Sequence, residues 1–229
     1  MAHHTVRARV AAAALAAGLA VGPRLLPARA DDTAARPRPA MGQLAPAARS
    51  DAPPSSRDLV DARADMQRRF RSLLAHAGTA AAARAAAETL LQEAIDEPDR
   101  NLKWLMLEES RRLGESAGQA LIVSRAIGLA AASYDFDAID KELRCLQQMP
   151  LRGLDAQRAA ALATAAGAIA TRAEADGRTD KAVAATLLAY RAWQRAGDHE
   201  AARRAATRHD GLLRAREPEA ATKRAASEQ

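Results

Sequence analysis

The fold is decided by two stretches, Gly177-Arg178-Thr179-Asp180-Lys181-Ala182 and Gly197-Asp198-His199-Glu200-Ala201. Each begins with a glycine that can end a helix in the left-handed conformation, and continues with an aspartate that can cap the next helix. Each then reaches an alanine small enough to be buried where two helices meet. This order is typical of the turn between antiparallel helices, so the sequence predicts helical hairpins around residues 177 and 197.

Helical periodicity covers most of the remaining chain. Apolar side chains recur at spacings of three or four residues, and glycine, proline or a capping residue separates the periodic segments. We expect helices near 57–77, 79–97, 99–116, 119–132, 138–149, 155–176, 180–196 and 198–216. No stretch alternates β-branched or aromatic residues with polar ones, so strands are not expected. The prediction is an all-α protein of seven or eight antiparallel helices joined by short loops.

The start of the fifth helix has two interpretations. Asp137 can be the N-cap, with Asp140 three residues later as in a capping box. Alternatively, Asp135 is the N-cap and Tyr134 packs against Ile139 as a hydrophobic staple. The sequence leaves both open.

The two ends of the chain differ in composition from the helical part. Residues 1–30 combine Arg7 and Arg9, an uncharged apolar run over 10–21, and small residues before Asp31, which predicts a secretory signal peptide. An uncleaved anchor is the alternative, but twelve helical residues span only about 18 Å of a bilayer core of about 30 Å. We expect a Pro/Ala/Arg-rich disordered linker over 31–54, the helical domain over 55–217 and a flexible tail over 218–229.

Charge and cysteine content exclude several classes of function. Cleavage before Asp31 leaves 30 Arg and Lys against 28 Asp and Glu, a mixed surface that argues against nucleic-acid binding. Arginine clusters such as Arg203-Arg204-Arg208 are interpreted as solvated helix faces. Cys145 is the only cysteine, so an intramolecular disulfide is excluded; we expect it to be buried, with a disulfide-linked dimer as the alternative if it is exposed.

A resemblance adds to this prediction. Gly177-x-x-Asp180-x-Ala182, followed by Ala189-Tyr190, resembles a tetratricopeptide-type (TPR) hairpin, although the usual closing proline is missing. Earlier in the chain, Asp96-Glu97-Pro98, the segment 103–111 and Ala117-Gly118 occur in an order similar to that of a helical domain of exported bacterial proteins, usually of unassigned function. The likeness covers roughly residues 85–216. It implies a TPR-like α-solenoid and brings no catalytic residue and no cofactor.

No catalytic or metal-binding constellation is recognisable. The histidines after residue 30 are His76, His199 and His209, and none lies at the spacing of a metal-binding motif. The acidic run Asp135, Asp137, Asp140 fails as a calcium loop, since Ile139 and Leu146 stand where oxygen ligands are needed. We therefore expect no enzyme, no metal and no cofactor.

Three aromatic residues are the candidate partner-binding positions: Trp104, Tyr190 and Trp193. Tyr190 and Trp193 are three residues apart on one helix face, and Trp and Tyr are enriched at binding hot spots. The alternative is that the rings fill an alanine-rich core. The expected function is a non-catalytic protein–protein interaction scaffold, periplasmic or extracellular, with an unknown protein partner. An accessory subunit of an envelope enzyme or secretion assembly, or an unrecognised enzyme, is the alternative.

Overall fold

A computed structural model describes the backbone of residues 52–227 and the side chains of residues 52–216. The signal peptide expected at 1–30 and nearly all of the linker expected at 31–54 lie outside the described residues. Within residues 52–227 the chain forms eight α-helices and one short 3-10 helix, and no β-strand. The predicted all-α class is confirmed for this part of the chain.

The helices follow one another with short connections. Their bounds are α1 (Val60–Ala75), α2 (Ala80–Asp96), α3 (Arg100–Ser116), α4 (Ala120–Ala131), α5 (Ala138–Gln148), α6 (Ala156–Ala175), α7 (Thr179–Ala196) and α8 (His199–Ser227). The 3-10 helix, Leu151–Gly153, lies between α5 and α6, where the sequence predicts only a loop.

The two glycine turns form as expected, but only one of the two aspartates is a cap. Gly177 and Gly197 have φ angles of +68° and +79°, the left-handed conformation that glycine adopts without a Cβ clash. Asp198 caps α8 by accepting the amide N–H of Ala201 at 2.8 Å. Asp180 is not the N-cap of α7, contrary to the prediction. The helix begins one residue earlier, which places Asp180 inside the first turn.

The fifth helix uses the first of its two predicted caps. The Asp137 carboxylate accepts the amide N–H of Asp140 at 2.9 Å, so Asp137 is the N-cap of α5. Tyr134 is buried and its hydroxyl donates to the carbonyl oxygen of Arg100 at 2.5 Å. The tyrosine therefore ties the α4–α5 connection to the start of α3.

Each helix packs against its neighbours in sequence, and several also pack against the helix after next. The second kind of contact joins α1 to α3, α2 to α4, α4 to α6 and α5 to α7. Antiparallel helices stacked in this way bury one face against the next helix and another face against the following one. The result is a layered arrangement of helices.

The apolar interior consists of two clusters that share α4. Ile122, Ala126 and Ala130 of α4 belong to the first cluster, with buried residues of α1, α2 and α3. Val123 and Ile127, on the adjoining face of α4, belong to the second cluster, with α5, α6 and α7. Consecutive residues of a helix point in different directions, so these two stripes lie on adjoining faces of α4. The helix therefore forms a wall of both clusters.

Alanine supplies about half of the buried apolar side chains, and this is clearest between α6 and α7. The buried positions of α6 are mostly alanine, as are those of α7, including Ala182 at 0% exposure. Small side chains let two helix backbones approach closely, and the α6–α7 contact is the most extensive helix pair of the described chain.

The last helix extends further than the sequence predicts. α8 was expected to end near residue 216, before Pro218, with a flexible tail over 218–229, whereas its backbone continues to Ser227. The sequence after Pro218 consists largely of good helix formers such as alanine, glutamate and lysine, which favour continuation. None of the helices within the described residues combines the length and hydropathy that crossing a membrane requires.

Candidate interaction site

Trp104 lies on α3 inside an aromatic cluster. Its ring meets the edge of the Tyr134 ring with centroids 4.8 Å apart, and that of Phe136 with centroids 5.8 Å apart. Both arrangements are the edge-to-face geometry that aromatic pairs prefer. Trp104 thus has partners within the chain, and it fastens α3 to the connection between α4 and α5.

A lysine completes this cluster. The ammonium group of Lys141, on α5, lies 4.6 Å from the Trp104 ring centroid and 5.0 Å from that of Phe136. The same group donates to the Glu108 carboxylate at 2.5 Å. The face of the Trp104 ring that is directed toward α5 is therefore covered by the ammonium group of Lys141.

Arg111 and Cys145 form a second polar group beside this cluster. Arg111 donates to Glu115 at 2.5 Å and to Glu108 at 3.2 Å, and lies 3.5 Å from the Cys145 sulfur. Burial opposes the charge of Arg111, but the two carboxylates outweigh it and raise the pKa of Arg111 above its usual range. Burial, with Glu115 nearby, raises the pKa of the Cys145 thiol to about 11. At neutral pH the thiol is protonated and thus a poor nucleophile.

Acidic residues of α5 are paired with basic residues of α6 and α7. The buried Glu142 contacts Arg172 of α6 at 2.5 Å. Asp140 pairs with Lys181 of α7. These pairs are not predictable from the sequence, because they join residues that are far apart in the chain and share no motif.

A further α5–α7 contact involves the cap of α5. Arg178, just before α7, makes a two-pronged contact with Asp137, with nitrogen–oxygen distances of 2.7 and 2.5 Å. This arginine holds the pKa of Asp137 at about 2, below its ordinary value of 3.8. The contact is a structural link between helices, in which the carboxylate stays ionised.

Trp193 lies in a groove formed by α6, α7 and α8, which we call the Trp193 groove. Its volume is about 300 Å³. Most of the residues that line it have small side chains. The lining residues are Gly167, Ala170, Thr186, Ala189, Trp193, Ala201, Arg204, Ala205 and Arg208. Trp193 is half-buried, with part of its ring against the second apolar cluster and part toward the open groove.

The rim of the Trp193 groove carries two arginines of α8. Arg208 donates to Glu174 of α6 at 2.8 Å and to the Thr171 hydroxyl at 3.0 Å, while Arg204 pairs with Glu200 of its own helix. The Arg204–Glu200 pair is well exposed, at 65% and 74% of the two side chains, whereas Arg208 and Glu174 are only 37% and 35% exposed. The groove is thus apolar at its floor and charged along one side.

Tyr190 lies one turn before Trp193 on α7, outside the lining of the groove. Its hydroxyl accepts a hydrogen bond from Gln194 at 2.6 Å. Of the three predicted aromatic positions, Tyr190 and Trp193 lie on one helix, α7. Trp104 lies apart from them, in the aromatic cluster with Tyr134 and Phe136. The sequence offered no sign of the groove itself, because its floor is made by alanines and glycine from three helices.

Another groove, between α1 and α3, has a volume of about 380 Å³ and is more polar. Met66 and Leu105 line it together with Glu109 and Arg112, which pair with each other. Within the described residues, no three His, Cys, Asp or Glu side chains are grouped so that they could hold a metal ion.

Comparison with protein families, with curated protein sequences and with solved structures finds no match to this chain.

Proposed function

We propose that this protein is a non-catalytic, TPR-like interaction scaffold exported from a bacterial cell, periplasmic or extracellular, and that it holds another protein in the Trp193 groove. The proposal of export depends on the composition of residues 1–30, and that of a TPR-like hairpin on Gly177-x-x-Asp180-x-Ala182. The proposal that the partner binds at the Trp193 groove depends on the geometry of that groove.

One observation carries the proposal: Trp193 is a large ring left partly open over a floor of small side chains. Tryptophan is the residue most enriched among binding hot spots, and such residues contribute most where the partner can exclude water around them. Gly167 and Ala205, which are partly exposed, allow a partner to approach the backbone of α6 and α8 closely. Trp104, by contrast, already has Tyr134 and Lys141 as partners.

The ionisable groups near the first aromatic cluster favour a structural rather than a catalytic role. Glu108 and Glu115 are engaged by Arg111, and the Cys145 thiol is protonated at neutral pH. A catalytic site needs at least one nucleophile, base or acid whose protonation state suits the reaction. The pairing here instead stabilises the contact between α3 and α5.

Photo-cross-linking from the groove tests the proposal. We would place a benzophenone amino acid at Thr171, on the α6 side of the rim, in the full-length protein in its native cells. A matched variant carries the same group at Ala85, an exposed position of α2. We expect a discrete cross-linked protein from position 171, little from position 85, and loss of the product when Trp193 is replaced by alanine.

Equal cross-linking from both positions, or a product that is insensitive to Trp193→Ala, would overturn the assignment of the groove. Thermal unfolding of each variant, followed by circular dichroism, accompanies the cross-linking, because an unfolded variant would lose the cross-link whatever the role of Trp193. Trp193→Phe is the conservative control: it keeps an aromatic ring in the groove and should keep part of the product.

A further inference from the structure

We infer that this helix stack contains a joint, at which α5–α8 rotate about α4 and separate from α3. The surface that opens is the α3–α5 seam, which consists of Trp104, Glu108, Arg111 and Glu115 of α3 and of Lys141 and Cys145 of α5. The inference goes beyond the proposed function and is independent of it, because the walls of the Trp193 groove lie in α6, α7 and α8.

The packing of the odd-numbered helices is interrupted at the α3–α5 seam. α1 packs on α3 and α5 packs on α7, but α3 and α5 are not among the helix pairs with extensive backbone contact. Among the even-numbered helices, α4 packs on both α2 and α6. The two halves of the stack can therefore separate at the seam while α4 keeps its neighbours on both sides.

The apolar interior is divided at the same place. The buried residues of α3 belong to the first apolar cluster, and those of α5 belong to the second. No residue of α5 is part of the first cluster, and no residue of α3 is part of the second. Opening the seam therefore leaves the interior of each cluster in place, and exposes much less apolar surface than separating two helices of one cluster.

Long polar side chains bridge α3 and α5 instead. Lys141 donates to the Glu108 carboxylate at 2.5 Å, and Arg111 lies 3.5 Å from the Cys145 sulfur. The Lys141, Glu108 and Arg111 side chains are each 20–26% exposed, so water already reaches them. Charged groups that become fully hydrated on separation regain part of what the ion pair gave them, so a polar seam is easier to open than an apolar one.

α5 belongs with the helices that follow it. Its apolar stripe is buried in the second cluster with α6 and α7, and consists of Ile139, Leu143, Leu146 and Met149. The buried Glu142 contacts Arg172 of α6, and Asp140 pairs with Lys181 of α7. These contacts lie on the far side of the seam, so they are kept when α5 separates from α3.

Lys141 is the main contact that holds the seam closed. Its ammonium group pairs with Glu108 and lies 4.6 Å from the centroid of the Trp104 ring, and both partners are on α3. The ion pair and the cation–π contact are made only while the seam is closed. Losing both should shift the equilibrium toward the open form by at least about five-fold.

The reactivity of Cys145 tests the inference in the full-length protein. This thiol lies in the seam and is 8% exposed. Its reaction with N-ethylmaleimide, an uncharged reagent, is measured at fixed pH and at increasing urea concentrations below the unfolding transition. Because opening the seam exposes little surface, we expect a rate that is nearly independent of urea.

A matched probe reports loss of the whole fold. It is Ser110→Cys in a Cys145→Ala background, a near-isosteric change next to Arg111. Ser110 is fully buried and faces away from the seam, since its hydroxyl donates to the Ala87 carbonyl of α2 at 2.8 Å. The rate at this probe should increase steeply with urea over the same range.

Two lysine variants make the test specific to the seam. Lys141→Ala should increase the rate of Cys145 without urea by at least about five-fold. Lys181→Ala is the matched control, because Lys181 also pairs with a carboxylate, that of Asp140 on α5, but from α7. Its contact is kept in the open form, so Lys181→Ala should leave this rate unchanged even where it lowers the overall stability.

A Cys145 rate that follows the Ser110→Cys probe across the urea series would overturn the joint, because the seam would then open only with the whole fold. Equal acceleration by both lysine variants would also overturn it, since α5 would then leave α7 as well as α3. No acceleration by Lys141→Ala would reject Lys141 as the contact that holds the seam closed. The cross-linking experiment at the Trp193 groove is decided separately from each of these results.

Discussion

Arg172→Ala should destabilise this protein more than the loss of any exposed ion pair. Its partner Glu142 projects from α5 into the interior with a side chain only 3% exposed, and the two groups are 2.5 Å apart. Removing the arginine leaves a carboxylate that is buried without its countercharge. Such a group is costly, because it has given up its hydration and receives too little in return.

The magnitude follows from the burial of the two partners. Removing one member of a fully buried pair costs about 3–5 kcal/mol. The side chain of Arg172 is 46% exposed, so water can reach the carboxylate once the arginine is gone. We therefore expect a smaller loss, about 2–3 kcal/mol of unfolding free energy. For a protein of this size, the loss corresponds to a decrease in Tm of about 4–12 °C.

Urea and thermal unfolding followed by circular dichroism measure this loss. Glu142→Leu/Arg172→Ala should recover most of it, since no charge then remains buried, and a double-mutant cycle separates the pair from its surroundings. Arg84→Ala is the control: its pair with Glu88 is exposed, and the change should cost less than about 0.5 kcal/mol. If Arg172→Ala costs no more than Arg84→Ala, the reasoning from burial is wrong.

Further predictions concern single positions. Because Arg178 lowers the pKa of Asp137, this pair stabilises the fold above about pH 4, and the contribution is lost as the pH falls toward 2; Asp137→Asn, which keeps a capping oxygen, should flatten that part of the acid-unfolding curve. With its pKa near 11, against an ordinary value of 9.0, native Cys145 should react with Ellman's reagent at pH 8 about 100-fold more slowly than in urea, and should not form dimers on mild oxidation. Gly118→Ala should cost about 2 kcal/mol or more in urea unfolding, because φ is +68° and the new Cβ would lie 2.8 Å from Leu154 Cδ2.

The helices were predictable because their signals are local. Thr79, Asp99 and Asp155 cap α2, α3 and α6 through their own side chains, and each is visible in the sequence as a polar residue before an apolar period. The Asp180 prediction was wrong for a reason that is also local. In both turns the residue directly after the glycine lies at the N-cap position, Arg178 before α7 and Asp198 before α8, so Asp180, three residues after Gly177, lies inside α7.

The site was less predictable because it depends on distances between helices. Tryptophan is a candidate anchor by residue type alone, and the local sequences around Trp104 and Trp193 do not show which ring is left open. Both rings are half-buried, and what separates them is their surroundings: Lys141 of α5 lies over the Trp104 ring, whereas Trp193 lines the Trp193 groove. Both features arise from packing of residues remote in sequence, which periodicity and spacing do not encode.

The short helix α5 explains how the two parts of the stack are joined. It has only 11 residues, yet it pairs with α3 through Lys141, with α6 through Glu142 and with α7 through Asp140. Contacts of this kind weaken with salt when exposed, whereas the alanine contacts between α6 and α7 do not. Weakening α5 should therefore loosen the middle of the stack before it opens the Trp193 groove, whose walls belong to α6, α7 and α8. Because the groove does not depend on the charges of α5, a partner bound there would tolerate variation in α5 but not in the small residues of its floor.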